Sequence, residues 1–307
     1  MRILVLGAGA LGGYFGARLI EAGAEVAFLV RPARASLLAD QGLRIDSPFG
    51  AFHRPVTTLT AATPGWDVIL LACKAYDLEA AMAAIRPAVG ADTAILPVLN
   101  GLAHIETLTE IVGAPHVLGG LAKIQATLTP EGAIRHLNDW RYITFGELDG
   151  TLSPRVLALR DAFAAAPGVV AEAVPDVMAR LWEKLTHLGT SAMATVLMRA
   201  NVGEIARSPG GVALMARILE RNIAIAAHHG HPVRPGFLAE YTQVFSDPAS
   251  QYAASMLRDI EGGNRIEADH ILGFLFDAAR RAGVPDELHE AAFIHAKAYE
   301  QRRAAGR

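Results

Sequence analysis

The sequence predicts two domains of different class, an N-terminal α/β domain with a parallel sheet followed by an all-α domain. The 307 residues are enough for two domains of roughly 150 residues each. Short apolar runs alternate with helical segments up to about residue 174, whereas strand signals almost vanish after Pro175 and Asp176. We therefore expect domains at residues 1–174 and 175–307.

Five short apolar runs in the first half are typical of central strands in a parallel sheet, which are buried on both faces. They cover residues 3–6, 25–30, 68–72, 94–98 and 117–119. Helical segments at 11–22, 34–41, 78–88 and 105–112 separate these runs, which is the alternation of a βαβ fold. A hairpin is expected across 132–147, and one further short strand at 169–173.

The second half predicts six helices separated by Gly or Pro. Asp176 can cap the first, which runs to about residue 199. The others are expected at 211–228, 235–245, 249–261, 267–282 and 286–301.

Composition and charge exclude several classes of protein. A net charge of −3 without a dense basic run argues against a nucleic-acid partner. The apolar run at 68–73 is far shorter than the roughly 20 residues that cross a bilayer. The single cysteine, Cys73, excludes an internal disulfide and a multi-cysteine metal site, and is typical of a reducing compartment. The N-terminus lacks the pattern of a secretion signal, so we expect a cytoplasmic protein.

A glycine motif stands between the first predicted strand and the first predicted helix. Its residues are Gly7, Ala8, Gly9, Ala10, Leu11 and Gly12, a G-x-G-x-x-G pattern. In this context the first glycine permits a tight turn, the second lets a pyrophosphate approach the backbone, and the third allows close helix–strand packing. The motif predicts a dinucleotide site at a helix N-terminus. The alternative is a glycine-rich turn without a ligand.

The end of the second predicted strand indicates which dinucleotide binds. A site for NAD usually carries Asp or Glu there, on the ribose 2′-hydroxyl. Here the strand is followed by Arg31, and Arg34 lies one helical turn later. A guanidinium suits a 2′-phosphate, so the sequence favours NADP. The alternative is that both arginines are ordinary solvated surface residues.

Two more loops follow strand ends, where open α/β sheets bind ligands. Lys74 follows the third predicted strand and could neutralise a phosphate or a substrate carboxylate. Asn100 follows the fourth and could position a nicotinamide or a substrate oxygen, because an amide both donates and accepts. Lys74 could equally be a surface lysine, and Asn100 a turn residue before Gly101.

The remaining motifs occur in a fixed order along the chain. They are CKAYD at 73–77, LNGL at 99–102, TPEGAIRH at 129–136, FGELDG at 145–150, LWEKL at 181–185 and ASMLRDIEGGNRIEADHILGF at 254–274. With the glycine motif and Arg31, this set resembles the ketopantoate reductase (2-dehydropantoate 2-reductase) family over nearly the whole chain. The block at 254–274 is the most specific part.

The resemblance implies a Rossmann-type domain and a helical domain like the C-terminal domain of 6-phosphogluconate dehydrogenase. It also implies NADPH and substrate bound between them, and a role in pantothenate biosynthesis. By this resemblance Lys184 is the general acid, Glu267 hydrogen-bonds around substrate and nicotinamide, and Ser255 binds the substrate carboxylate. On residues alone, Lys184 could be a snorkelling helix lysine, and Glu267 an acid favoured by a helix N-terminus.

Three further residues receive a role from the resemblance. Asn100 and Lys74 line cofactor and substrate, and the backbone near Leu128 contacts the nicotinamide.

The chain departs from the family pattern where the family grips the distal part of its substrate. Leu188, Ala192 and Tyr252 replace three asparagines that the family typically carries. His187 and Ser191 share the helix face of Lys184 and could supply other polar contacts. We therefore expect a substrate that differs from 2-dehydropantoate, by lacking its terminal hydroxyl or by carrying a bulkier apolar group.

The sequence thus predicts an NADPH-dependent enzyme that transfers hydride to the C2 carbonyl of a 2-oxo acid, either 2-dehydropantoate or a relative. The alternative is a catalytically inactive NADP-binding sensor or partner-binding protein. No metal site is expected, because the histidines at 228–231 lie at a helix end, where the dipole favours them. The alanine-rich helices could pair two copies into a homodimer.

Overall fold

The computed structural model describes residues 1–306 and divides into two compact units. The first unit comprises Met1–Leu99 and His104–Val177, and contains all of the β-structure. The second combines Asn100–Ala103 with the chain from Met178 onward and is helical. The predicted fold class, a parallel-sheet domain followed by an all-α domain, is confirmed. The sequence did not predict that Asn100–Ala103 belongs with the helical unit.

Fifteen helices and strands precede the long helix that starts at Val177. They are β1 (Arg2–Leu6), α1 (Ala10–Glu21), β2 (Glu25–Leu29), α2 (Pro32–Gln41), β3 (Leu43–Asp46), β4 (Phe52–Arg54), β5 (Thr57–Leu59), β6 (Val68–Leu71), α3 (Leu78–Ile85), β7 (Ala94–Pro97), α4 (Ala103–Val112), β8 (Leu118–Leu128), β9 (Ile134–Glu147), α5 (Pro154–Ala164) and β10 (Val170–Ala173).

The main sheet has the strand order β5-β2-β1-β6-β7, and all of its pairs are parallel. Successive residues of β1 enter different cores. Ile3 and Val5 pack in one apolar cluster, whereas Leu4 packs in the other. Both faces of the sheet are therefore covered, which explains why the strands read as continuous apolar runs. The carboxyl ends of β1, β2 and β6 meet at one edge of this sheet.

The observed strands differ from the prediction at three places. Residues 117–119 were predicted as a central parallel strand, but only Val117 forms a single parallel bridge, to Ile95. The chain then enters β8, which pairs antiparallel with β9 along most of its length. The hairpin predicted at 132–147 is therefore wrong, because those residues hold the single strand β9 and the hairpin partner is β8. The short strands β3, β4 and β5 were not predicted. β3 alternates the buried Leu43 and Ile45 with exposed polar residues, and β4 and β5 have three residues each, so none of them has the apolar run of a central strand.

The helical unit differs from the prediction at its short elements. Its helices are α6 (Val177–Met198), α7 (Val202–Arg207), α8 (Gly211–His228), α9 (Phe237–Ser246), α10 (Ser255–Glu261), α11 (Phe274–Ala282) and α12 (Glu287–Ala304). The unpredicted α7 starts at a capping box formed by Asn201 and Glu204. A π-helical turn, Asp269–Gly273, precedes α11. Within residues 1–306, no helix is long and apolar enough to cross a membrane.

A chain of polar side chains crosses the core of the helical unit. The buried His289 Nε2 donates to Asn222 Oδ1 (3.0 Å), and Asn222 Nδ2 donates to Thr190 Oγ1 (3.0 Å). Thr190 Oγ1 in turn donates to the Thr186 carbonyl on α6 (2.8 Å). Burial, assisted by the nearby Arg221, lowers the pKa of His289 from 6.5 to about 4. The folded protein therefore holds His289 as a neutral imidazole at neutral pH, with the proton on Nε2.

We expect the burial of His289 to lower the free energy of unfolding in mild acid. As the pH falls from about 6.5 to 4, the unfolded chain takes up the His289 proton before the folded chain does. The free energy of unfolding therefore falls over that window, by up to about 3 kcal/mol from this group. His289→Gln, whose amide can still donate to Asn222 Oδ1, should flatten this slope in urea unfolding between pH 7 and 4. The exposed His53→Gln is the matched control, and an unchanged slope in His289→Gln would contradict the assignment.

Candidate active site

The glycine motif forms the turn from β1 into α1. Gly7 has φ +90°, a conformation that favours glycine, and its N–H donates to the Leu29 carbonyl of β2 (2.9 Å). A Cβ on Gly12 would lie 2.3 Å from the Gly7 carbonyl oxygen. The turn and the helix therefore approach each other more closely than any side chain at Gly12 would permit.

Gly9 plays a different part in this turn. A Cβ built on Gly9 would meet nothing within 4 Å, so the space outside the backbone there is open. Gly9 precedes α1, and no side chain caps the helix. The first N–H groups of α1 are thus available to an anion that approaches over Gly9. This arrangement fits the pyrophosphate of a dinucleotide.

The two arginines that follow β2 have different surroundings. The side chain of Arg31 is 83% exposed, and its Nη2 lies 3.7 Å from Asp77 Oδ2, a loose ion pair. Arg34 Nη2 donates to the carbonyl of Ala8 in the glycine motif (2.9 Å), and burial lowers the pKa of its guanidinium. Arg31 is therefore accessible to a ligand, whereas Arg34 supports the glycine turn itself.

Two further predicted cofactor residues also lie in the first unit. Lys74 is exposed and immediately precedes the 3₁₀ turn Ala75–Asp77, which follows β6. Leu128 ends β8 and is 42% exposed. The parallel arrangement places Lys74, Arg31 and the glycine motif at the ends of neighbouring strands.

Lys184 and Glu267 interact electrostatically within the helical unit. Lys184 lies in the second turn of α6, and Glu267 is buried just before the π-helical turn. Burial lowers the pKa of Lys184 from 10.5 to about 8, and the Glu267 carboxylate opposes this shift. The lysine is thus mainly protonated at neutral pH, yet it releases its proton far more readily than an ordinary lysine.

His270 is a site residue that sequence reasoning missed. It lies in the π-helical turn, and its ring donates to the backbone carbonyl of Asn100. A Cβ on Gly101, which has φ +84°, would come within 2.9 Å of His270 Cδ2. Burial lowers the pKa of His270, although the nearby Glu267 charge opposes the shift. The Asn100–Gly101 turn therefore rests directly on the segment that carries Glu267.

No pattern in the sequence marks this contact, because a π-helical turn has no simple periodicity. The Asn-Gly dipeptide is the only local signal, and it indicates a turn without naming its partner. Ser255, which the resemblance predicts to bind the substrate carboxylate, is partly buried at the first position of α10.

His187 and Ser191 were expected to offer polar contacts to a substrate. His187 is half-buried and packs against aromatic rings, whereas the hydroxyl of Ser191 is engaged within the protein. Ser191 is fully buried, and its hydroxyl donates to the Leu188 carbonyl of its own helix (2.9 Å). Ser191 Oγ then accepts from Tyr252 Oη at 3.3 Å. The ring of His187 lies 4.6 Å from the ring of Tyr241 and 5.8 Å from that of Tyr252. Direct hydrogen bonding from Ser191 to a substrate therefore finds no support.

The histidines at the end of α8 also pack within the protein. The rings of His229 and His231 stack on Trp182, with centroids 5.1 and 6.0 Å away. Among residues 1–306, no group of three or more His, Cys, Asp or Glu side chains is arranged to hold a metal ion.

Both units match models of known protein families. Residues 3–150 match "Ketopantoate reductase PanE/ApbA", and residues 176–300 match "Ketopantoate reductase PanE/ApbA C terminal". The two matches together cover most of the chain.

Individual proteins agree with this result over almost their full lengths. The uncharacterized oxidoreductase YkpB of Bacillus subtilis is 32% identical over 99% of this chain and 100% of its own. The crystal structure of 2-dehydropantoate 2-reductase from Methylococcus capsulatus has 28% identity and a TM-score of 0.87, covering 99% of this chain and 98% of its own. The fold is also that of D-mandelate dehydrogenase in its ternary structure with NADH and anilino(oxo)acetate, at 21% identity, a TM-score of 0.84 and 99% coverage of both chains. The chain therefore belongs to the ketopantoate reductase PanE/ApbA family, oxidoreductases that use NAD(P)H and act on small 2-oxo acids.

Proposed function

We propose that the protein uses NADPH to reduce the C2 carbonyl of a 2-oxo acid to a hydroxyl. The observation that carries this proposal is the pair of Lys184 and Glu267, in which burial brings the pKa of the lysine down to about 8. A proton donor with this pKa suits a reaction in which negative charge develops on a carbonyl oxygen at neutral pH.

The first unit supplies the cofactor site in this proposal. The open backbone over Gly9 and the uncapped start of α1 hold the pyrophosphate. Arg31 binds the 2′-phosphate with its exposed guanidinium, Lys74 adds a second positive charge, and the backbone near Leu128 borders the nicotinamide. When bound, the reduced nicotinamide supplies a hydride, that is, one proton and two electrons, to the carbonyl carbon.

The second unit supplies the proton and holds the substrate. Lys184 Nζ donates a proton to the carbonyl oxygen as that oxygen gains charge, and the neutral amine is later reprotonated from solvent. Glu267 orients the ammonium and keeps its pKa from falling further. Ser255 binds the substrate carboxylate, and Asn100 positions the reacting groups through a turn held by His270.

The substrate of this proposal is a 2-oxo acid other than 2-dehydropantoate. Leu188 and Ala192 cannot hydrogen-bond a terminal hydroxyl through their side chains, and the hydroxyl of Ser191 is already engaged. A hydroxyl buried without partners costs free energy, so the natural substrate should be less polar at that end. A protein that binds NADPH but reduces no 2-oxo acid from a broad panel would instead be a sensor or partner-binding protein.

Alanine substitutions at Gly9 and Gly12 separate ligand binding from backbone packing in the glycine turn. Gly9→Ala places a methyl group in open space, so the unfolding free energy should change by less than about 1 kcal/mol. The same methyl group blocks the approach of a pyrophosphate, and the NADPH dissociation constant should rise at least tenfold, measured by fluorescence titration. Gly12→Ala, the matched variant, should lower stability as well, because its Cβ lies 2.3 Å from the Gly7 oxygen. Unchanged NADPH affinity in Gly9→Ala would exclude this turn as the phosphate site.

Replacement of Arg31 tests the choice between NADPH and NADH. Arg31→Ala should raise the KM for NADPH about 10- to 100-fold, because one charge-assisted contact to the 2′-phosphate is lost. The KM for NADH should change little, since NADH lacks that phosphate. Arg160→Ala, which removes an exposed arginine of α5, is the control. Equal effects of Arg31→Ala on both cofactors would refute a role in 2′-phosphate binding.

The pH dependence of the reaction tests Lys184 as the proton donor. The lysine must be protonated to donate, so kcat/KM for reduction should be flat below pH 7 and fall as the pH rises through about 8. Lys184→Ala should lower kcat/KM by about 10²- to 10⁴-fold and abolish this limb, while NADPH affinity is retained. Lys123→Ala serves as the lysine control. A limb near pH 8 that persists in Lys184→Ala would assign the proton to another group.

A further inference from the structure

The face of α6 next to Lys184 is lined by aromatic rings. His187 lies three residues after Lys184, on the same side of the helix. Its ring packs with those of Tyr241, Phe245 and Tyr252, at centroid distances of 4.6, 5.7 and 5.8 Å. We call these four side chains the aromatic wall.

Hydrogen bonds hold both the backbone and the phenol of Tyr252. Its backbone N–H donates to Ser250 Oγ (3.2 Å), and its carbonyl accepts from the N–H of Val202 (2.9 Å). Its phenol donates to Ser191 Oγ at 3.3 Å. The ring is held nearly parallel to that of His187, with an interplanar angle of 16°. Ser191 is therefore a positioning residue for Tyr252.

The rings of His187, Tyr241 and Tyr252 are partly exposed, whereas that of Phe245 is buried. Burial raises the pKa of both Tyr241 and Tyr252, so both phenols stay neutral at physiological pH. On the same helix Leu188 is partly exposed and Ala192 is buried, and neither side chain carries a polar atom. A surface of this kind favours a ring by burial and by offset or edge-on contacts, and it gives a distal hydroxyl no partner.

We propose that the aromatic wall is a subsite for an aryl group on the substrate, so that the protein reduces arylglyoxylates or arylpyruvates. The inference rests on the proposed reductase function and names the substrate class of that same site. Three residues along an α-helix correspond to a rise of about 4.5 Å. A ring attached to the C2 carbonyl, directly or through one methylene group, would therefore reach His187 while its carbonyl oxygen stays beside Lys184.

The wild-type protein tests this proposal with a matched pair of substrates. Phenylpyruvate and 3-cyclohexyl-2-oxopropanoate have the same carbon skeleton, and differ in that one ring is flat and aromatic and the other saturated and puckered. We expect kcat/KM for the phenyl compound to be about three- to tenfold higher, and about a hundredfold higher than for 2-dehydropantoate. Equal values for the matched pair, or a preference for 2-dehydropantoate, would overturn the inference.

Variants of Tyr252 test whether the aromatic wall causes the preference for the phenyl substrate. Tyr252→Leu should bring the phenyl-to-cyclohexyl ratio of kcat/KM close to one, whereas Tyr252→Phe, which keeps the ring, should preserve it. Tyr142→Leu, at an exposed tyrosine of β9, is the matched control and should keep the wild-type ratio. A wild-type ratio in folded Tyr252→Leu overturns the assignment to this wall, and the wild-type comparison decides the case if that variant does not fold.

The same panel separates failure of the inference from failure of the proposed function. 2-Oxobutanoate, which has no ring, reports on reduction itself. If it and other alkyl 2-oxo acids are reduced without a preference for aryl compounds, only the subsite is refuted. If NADPH is not oxidised with any 2-oxo acid, the reductase function fails and the subsite fails with it.

Discussion

The balance between burial and one carboxylate at Lys184 is the interaction on which the proposed reduction depends. Burial alone would drive the lysine towards its neutral form, which has no proton to donate. Full compensation by Glu267 would return an ordinary lysine that holds its proton too tightly. The resulting compromise, a pKa of about 8, lies close to the pH at which a general acid is most effective. The π-helical turn positions Glu267 for this balance, and it also supports Asn100 through His270.

The parallel sheet imposes the corresponding constraint on the first unit. Strands buried on both faces leave their carboxyl ends as the places where polar groups can face a ligand. The glycine turn follows β1, Arg31 follows β2 and Lys74 follows β6, so one sheet edge collects the groups suited to a dinucleotide. Arg34 reinforces this edge from within by bonding the carbonyl of Ala8. A single topological feature thus orders residues that are distant in sequence.

The sequence predicted the features that have a local physical signature. The glycine turn, Arg31 at a strand end and the long α6 that carries Lys184 all follow from spacing, apolar runs and resemblance. The short strands β3, β4 and β5 were missed because each has only three or four residues and no continuous apolar run. His270 and the engaged hydroxyl of Ser191 were missed because both are defined by contacts between segments far apart in the chain, Asn100 with His270 and Ser191 with Tyr252.

The most direct measurement is the titration of the Lys184 ammonium itself, by NMR of the side-chain CH₂ and NH₃⁺ groups in isotopically labelled protein. With only four lysines in the chain, Lys184→Ala assigns the signal. We expect a pKa near 8 for Lys184, and a lower value in Glu267→Gln because the neighbouring negative charge is lost. A pKa near 10.5, or one that does not respond to Glu267→Gln, would contradict the account.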